Sequence, residues 1–147
     1  MKCVAEILAI RASAEVAYQE EQKRLDEQAK VNHVKRIEQT IAFCETKVND
    51  IFVQKAEKRS NDLKYVLKCK IDTDRLGNKM ILPLESEGAL YADGTFSYRA
   101  SETIEYDYKT FFEYLEQFCY KVTEEECVYC TYGSGTRKGT ALTVSLE

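Results

Sequence analysis

Two cysteines three residues apart, Cys127 and Cys130, form the one motif in this sequence with recognised chemistry. In a thioredoxin-type pair the first thiol lies at a helix N-terminus, where the helix dipole lowers its pKa. Here the flanking pattern is that of a strand, which places the two thiols on opposite faces, and Glu124, Glu125 and Glu126 beside them disfavour a thiolate. A zinc site needs four ligands, normally from two such pairs. We therefore predict structural thiols, and a zinc or thiol-dependent site at Cys127 and Cys130 is a second alternative.

The other polar residues give no catalytic set. His33 is the only histidine, and no serine, cysteine or aspartate is grouped with it. Residues 133–139 are predicted to be the loop that joins the last two strands. This loop has the glycines, hydroxyls and cations of a phosphate-binding loop, but it opens a strand rather than a helix. We predict no catalytic residues, no cofactor and no enzymatic activity.

Composition and charge restrict the partners. The net charge is −4, and residues 101–147 carry nine acids against four cations. A protein that binds nucleic acid through its phosphates needs a basic stripe, and none is visible. No run of about 18 apolar residues is present and the start does not read as a secretory signal, so we expect a cytoplasmic protein with reduced cysteines and without a membrane segment.

The N-terminal half reads as one very long helix, because residues 1–76 contain neither glycine nor proline. A helix of about 60 residues would extend roughly 90 Å, whereas the remaining residues would form a body only about 25 to 30 Å across. Such a helix must fold back or pair with a partner. Its apolar stripes change register near residues 28–34, which predicts either a stutter or a bend there.

The firmest pattern in the helix is a run of apolar residues at alternating intervals of three and four. This alternation is typical of a coiled-coil seam. We therefore predict a homodimer interface formed by Val34, Ile37, Ile41, Cys44, Val48 and Ile51.

The rest of the chain predicts an α+β domain. Residues 63–73 alternate as a half-buried strand, Asp93-Gly94 marks a hairpin, and Asp107 or Thr110 is expected to cap a core-facing helix. Residues 124–126 are expected to be an acidic loop before a final hairpin. The predicted fold is a long N-terminal helix followed by a mainly antiparallel sheet with one packed helix. Residues 1–60 would form the helical region and residues 61–147 the compact body.

Function is predicted to be protein–protein interaction, with self-association through the N-terminal helix. The alternative is a small acidic inhibitor of the phage or mobile-element type that blocks a nucleic-acid-binding enzyme of the host, and it predicts binding that weakens with salt. In both cases the surface offered to a protein partner would carry Glu102, Glu105, Asp107, Glu113, Glu116, Glu124, Glu125 and Glu126.

Overall fold

A single long helix dominates the N-terminal part of the protein. The structure is a computed structural model that describes residues 1–82, 88–90, 96–98, 104–131 and 135–147. Helix α1 (Val4–Phe43) leads into a π-helical segment (Cys44–Val48) and then into α2 (Asn49–Glu57). The helix is continuous through residues 28–34, so the chain does not fold back into a helical pair there. It ends where Arg59 takes a positive φ of 55°.

The π-helical segment keeps one face of the long helix on the body. The buried residues of this face are spaced four apart: Arg36, Thr40, Cys44, Val48 and Phe52. In a regular α-helix each step of four residues overshoots a full turn by about 40°, so such a row would rotate off the surface. The wider π turn accommodates one more residue per turn. The irregularity of the helix therefore lies at residues 44–48 rather than at residues 28–34.

The body is a five-stranded antiparallel sheet of β1 (Lys64–Asp74), β2 (Gly77–Leu82), β5 (Ile104–Asp107), β6 (Lys121–Thr131) and β7 (Gly135–Ser145). The order of the strands across the sheet is β5-β2-β1-β7-β6. A separate antiparallel pair joins β3 (Gly88–Leu90) to β4 (Phe96–Tyr98). Asp93 and Gly94, the predicted turn of this pair, lie outside the described residues. The predicted α+β class and antiparallel sheet are confirmed.

Helix α3 (Tyr108–Gln117) and the long helix cover the sheet. Of the two predicted caps, Asp107 caps α3: its carboxylate accepts hydrogen bonds from the backbone N–H of Thr110 at 3.0 Å and from the Thr110 hydroxyl at 2.6 Å. The core between these layers contains Val48, Cys69, Met80, Phe111, Leu115, Leu142 and Val144.

Two predictions about the body are wrong. Residues 124–126 are not a loop, because β6 runs without interruption through all three glutamates and pairs with β7 along its length. Residues 135–139 belong to β7 and not to a loop. A strand before α3, β5, was also missed. The glutamates fit a strand because β6 is the outermost strand of the sheet, where exposed charged side chains discourage pairing with other chains.

Within the described part of the chain, no helix has both the length and the apolar character required to cross a bilayer.

Candidate interaction surface

The first part of α1 extends beyond the body. Every residue from 1 to 21 is exposed, and we call residues 4–21 the free segment. This segment is about 27 Å long at 1.5 Å per residue. Its large apolar residues have high exposed fractions: Val4 73%, Ile7 54%, Leu8 55%, Ile10 52%, Val16 55% and Tyr18 61%.

Local interactions favour helix in the free segment. It contains several alanines and no glycine or proline, which gives a high helix propensity. The Glu6 carboxylate accepts a hydrogen bond from the backbone N–H of Cys3 at 2.8 Å, and Glu15 accepts one from Gln19 at 3.2 Å. An isolated helix of this length is still marginal in water, because most helix stability in proteins comes from packing.

One stripe of α1 connects the free segment to the body. On the body, this stripe contains the partly or fully buried Gln22, Ala29, His33, Arg36 and Thr40. Continued towards the N-terminus at intervals of three and four, the same stripe contains Val4, Leu8, Arg11, Glu15 and Tyr18, all exposed. We call these five residues the free stripe. The side of the helix that the body covers in its second half is therefore uncovered in its first half.

An ion pair between a buried arginine and a partly exposed aspartate joins the helix to the sheet. Arg36 is only 5% exposed, and its Nη1 atom lies 2.8 Å from a carboxylate oxygen of Asp74 at the end of β1. The same atom is 3.9 Å from Glu105, which also pairs with Lys79 at 3.1 Å. The backbone N–H of Arg75, and after it the Arg36 guanidinium, hold the pKa of Asp74 below its usual range. The Nε and Nη2 atoms of Arg36 are buried without a hydrogen-bond partner in the described residues.

A second buried connection joins the helix to α3. The Thr40 hydroxyl accepts a hydrogen bond from the backbone N–H of Asp107 at 2.8 Å and donates one to the carbonyl of Arg36 at 2.5 Å. The Nδ1 atom of His33 lies 3.7 Å from the other oxygen of the Asp107 carboxylate. About two and three helical turns before His33, Asp26 and Gln22 contact Arg75 of the β1–β2 turn. These contacts set the direction in which the free segment leaves the body.

The six residues of the predicted seam have different environments. Cys44 and Val48 are in the core, 3% and 0% exposed. Ile37, Ile41 and Ile51 are partly buried, and Val34 is 54% exposed. Two of the six predicted seam residues, Cys44 and Val48, therefore pack on the chain's own sheet.

The predicted acidic residues are also divided. Glu105 pairs with Lys79, and Asp107 is buried as the cap of α3. On the surface of α3, Glu113 lies 3.8 Å from Lys109 and Glu116 is exposed. Along β6, Glu124 accepts a hydrogen bond from the Tyr108 hydroxyl, Glu126 pairs with Lys138 at 3.1 Å, and Glu125 is exposed. Glu102 lies outside the described residues.

The thiols have contrasting environments. Burial, more than the nearby charges, raises the pKa of Cys44 and of Cys69 to about 12. Cys3 and Cys119 are exposed. Cys127 lies in β6 opposite Gly139, and Cys130 is in the same strand. In the described residues, no group of three or more histidine, cysteine or acidic side chains is arranged to hold a metal ion.

Only weak signals in the residue pattern point to the contacts that anchor the helix. Burial of Arg36 and Thr40 was missed, although their interval of four residues continues through the buried row to Phe52. The partners Asp74 and Asp107 are distant in the chain, and no local pattern connects them to α1.

Comparisons of the chain with known protein families, with curated proteins and with solved structures gave no match.

Proposed function

We propose that this chain is a non-enzymatic protein–protein interaction module that forms a homodimer through its N-terminal helix. The observation that carries the proposal is the free segment, whose large apolar side chains are each more than half exposed. Contiguous exposed apolar surface on a soluble protein typically marks a binding site.

The magnitudes favour a dimer that dissociates on dilution. Burying a fully exposed valine, leucine or isoleucine contributes about 1.5 to 3 kcal/mol, so side chains that are half exposed contribute about half of that. The free stripe contributes three apolar side chains from each copy, Val4, Leu8 and Tyr18, which would together supply roughly 4.5 to 9 kcal/mol. Association costs about 4 to 15 kcal/mol in lost freedom of motion. Since the two ranges overlap, the molecular mass should depend on concentration.

Light scattering across a concentration series tests the proposal. The intact chain should approach twice its mass of 16.9 kDa as its concentration rises. Leu8→Glu introduces a charge into the free segment and should shift the transition to higher concentration. Val53→Glu is the matched control: Val53 is 45% exposed on α2, outside the free segment, and its replacement should leave the transition unchanged.

Two outcomes would contradict the proposal. A mass of one chain at every concentration would exclude a homodimer. A dimer that Leu8→Glu leaves unchanged would place self-association outside the free segment.

A further inference from the structure

We propose that the two free segments pair in the antiparallel orientation, with the two-fold axis of the dimer crossing the free stripe between Arg11 and Glu15, at the level of Ser13. This inference rests on the proposed function and adds the orientation of the helices and the face that they share. The occupant of the free stripe is the same stripe of a second copy.

Charge carries the argument for orientation. The free stripe has Arg11 and Glu15 at its centre. In a parallel pair in register, Arg11 would face Arg11 and Glu15 would face Glu15, so two like-charge contacts would oppose association. In an antiparallel pair centred on Ser13, Arg11 of each copy faces Glu15 of the other. A two-fold interface is formed by the same patch on both subunits, which therefore has to be self-complementary. Only the antiparallel orientation makes this charge pattern self-complementary.

The apolar residues follow the same symmetry. In the antiparallel pair centred on Ser13, Leu8 of one copy faces Tyr18 of the other at both ends of the charged centre. Their exposed fractions, 55% and 61%, leave most of both side chains available for this contact. Apolar contacts would thus flank the ion pairs on each side and limit the access of water to them.

The length of the free segment fits this arrangement. Val4 would lie opposite Gln22 of the second copy, which is the first residue of the stripe with a partly buried side chain. Gln22 accepts a hydrogen bond from Arg75 at 3.4 Å, and the adjacent Leu76 is 41% exposed. Leu76 would therefore offer Val4 an apolar neighbour. The pair would use the whole free stripe and end where the second body begins.

The distance between the two Cys3 residues distinguishes the orientations. Cys3 is exposed at the start of α1, so it can carry a spin label once Cys119, Cys127 and Cys130 are replaced by serine. In the antiparallel pair, Cys3 lies opposite residue 23, so pulsed electron resonance should give a distance of about 30 Å. In a parallel pair, with helix axes about 8 to 10 Å apart, the labels would lie within about 20 Å.

Charge reversal gives a second, independent readout. Arg11→Glu places two glutamates opposite each other at both symmetry-related contacts, and it should raise the dissociation constant about tenfold or more. Lys23→Glu makes the same change of charge about 100° around the helix from the free stripe and is the matched control. An equimolar mixture of Arg11→Glu and Glu15→Arg chains should form heterodimers, which would show that the charges of the free stripe meet across the interface. Opposite charges would meet in a parallel heterodimer as well, so the orientation is read from the weakening by Arg11→Glu alone.

The outcomes separate this inference from the proposed function. A dimer with a Cys3 distance near 20 Å or less, or one that Arg11→Glu does not weaken, overturns the antiparallel pairing but preserves self-association. Absence of dipolar coupling, together with a monomeric mass, overturns both. A distance near 30 Å with selective weakening by Arg11→Glu supports both.

Discussion

The side-chain oxygen of Thr40 lies 2.8 Å from the backbone nitrogen of Asp107, so the long helix accepts a hydrogen bond from the residue that caps α3. Thr40 has no exposed surface, and Asp107 is 4% exposed. The contact joins the long helix, the end of β5 and the start of α3 at one buried point.

Thr40→Val should destabilise the fold by about 1 to 3 kcal/mol. Valine has nearly the same shape, but it leaves the buried N–H of Asp107 without an acceptor, and an unsatisfied buried donor costs about this much. Urea denaturation followed by circular dichroism measures the change. Thr46→Val is the matched control, because the Thr46 hydroxyl donates to the carbonyl of Ala42 at 2.7 Å on the exposed side of the helix. Its effect should be within about 0.5 kcal/mol. Equal losses for the two variants would mean that the Thr40 contact has no special role.

The predicted seam should divide into fold-determining and surface positions. Val48 is fully buried whereas Val34 is 54% exposed. Val48→Ala should lower the free energy of unfolding by about 2 to 3 kcal/mol, through lost burial and the cavity left behind. Val34→Ala should change it by less than about 0.5 kcal/mol. Chemical denaturation of both variants measures their free energies of unfolding. A large decrease for Val34→Ala alone would mean that Val34, and not Val48, is the position that determines the fold.

Local patterns predicted the fold well where each element obeys its own periodicity. Alternation identified β1, because its inward-facing Leu67 and Cys69 are separated by exposed Lys68. Asp107 was one of two predicted caps, with Thr110, because a short polar side chain before a helical pattern satisfies free N–H groups. The long helix followed from the absence of glycine and proline in residues 1–76.

Local sequence patterns could not predict contacts between residues that are far apart in the chain. Burial of an arginine is unfavourable unless a carboxylate meets it, and Asp74 reaches Arg36 only after the sheet has formed. The three consecutive glutamates at residues 124–126 read as a loop because their strand is at the edge of the sheet, where polar side chains are tolerated. The free segment could not be predicted either. Sequence periodicity indicated a helix with apolar stripes but not which part of that helix the body covers.

The cysteines should differ strongly in reactivity. Because Cys44 and Cys69 are buried and their pKa values are raised to about 12, a thiol reagent near neutral pH should modify Cys3 and Cys119 quickly and these two only after unfolding. Mass spectrometry after timed alkylation would identify the modified residues. Rapid modification of Cys44 or Cys69 in the folded protein would contradict the described packing.

Stability should also fall at alkaline pH. The raised pKa means that the unfolded chain loses these protons above about pH 9 while the folded chain retains them until about pH 12. Stability from each thiol is thus fully present below about pH 9 and is lost as the pH rises towards 12, by at most about 1.4 kcal/mol per pH unit. Cys69→Ala should make this decline of stability with pH less steep than in the wild-type chain. The measurement is the urea midpoint of each chain across this pH range. If the midpoints of the wild-type chain and of Cys69→Ala fall with the same slope, Cys69 does not cause the decline.

Cys119→Gly should stabilise the protein by up to about 1 kcal/mol. Cys119 lies two residues after the end of α3 and has a positive φ of 68°. Its backbone N–H donates a hydrogen bond to the carbonyl of Glu116, and the N–H of Tyr120 donates one to the carbonyl of Leu115. This arrangement favours glycine, because a side chain at positive φ meets the backbone. Cys119→Ala separates the two effects, since it also removes the thiol but keeps a Cβ atom at this position. Thermal unfolding should show an increase for glycine alone. The same gain for alanine would attribute the effect to loss of the exposed thiol rather than to the backbone conformation.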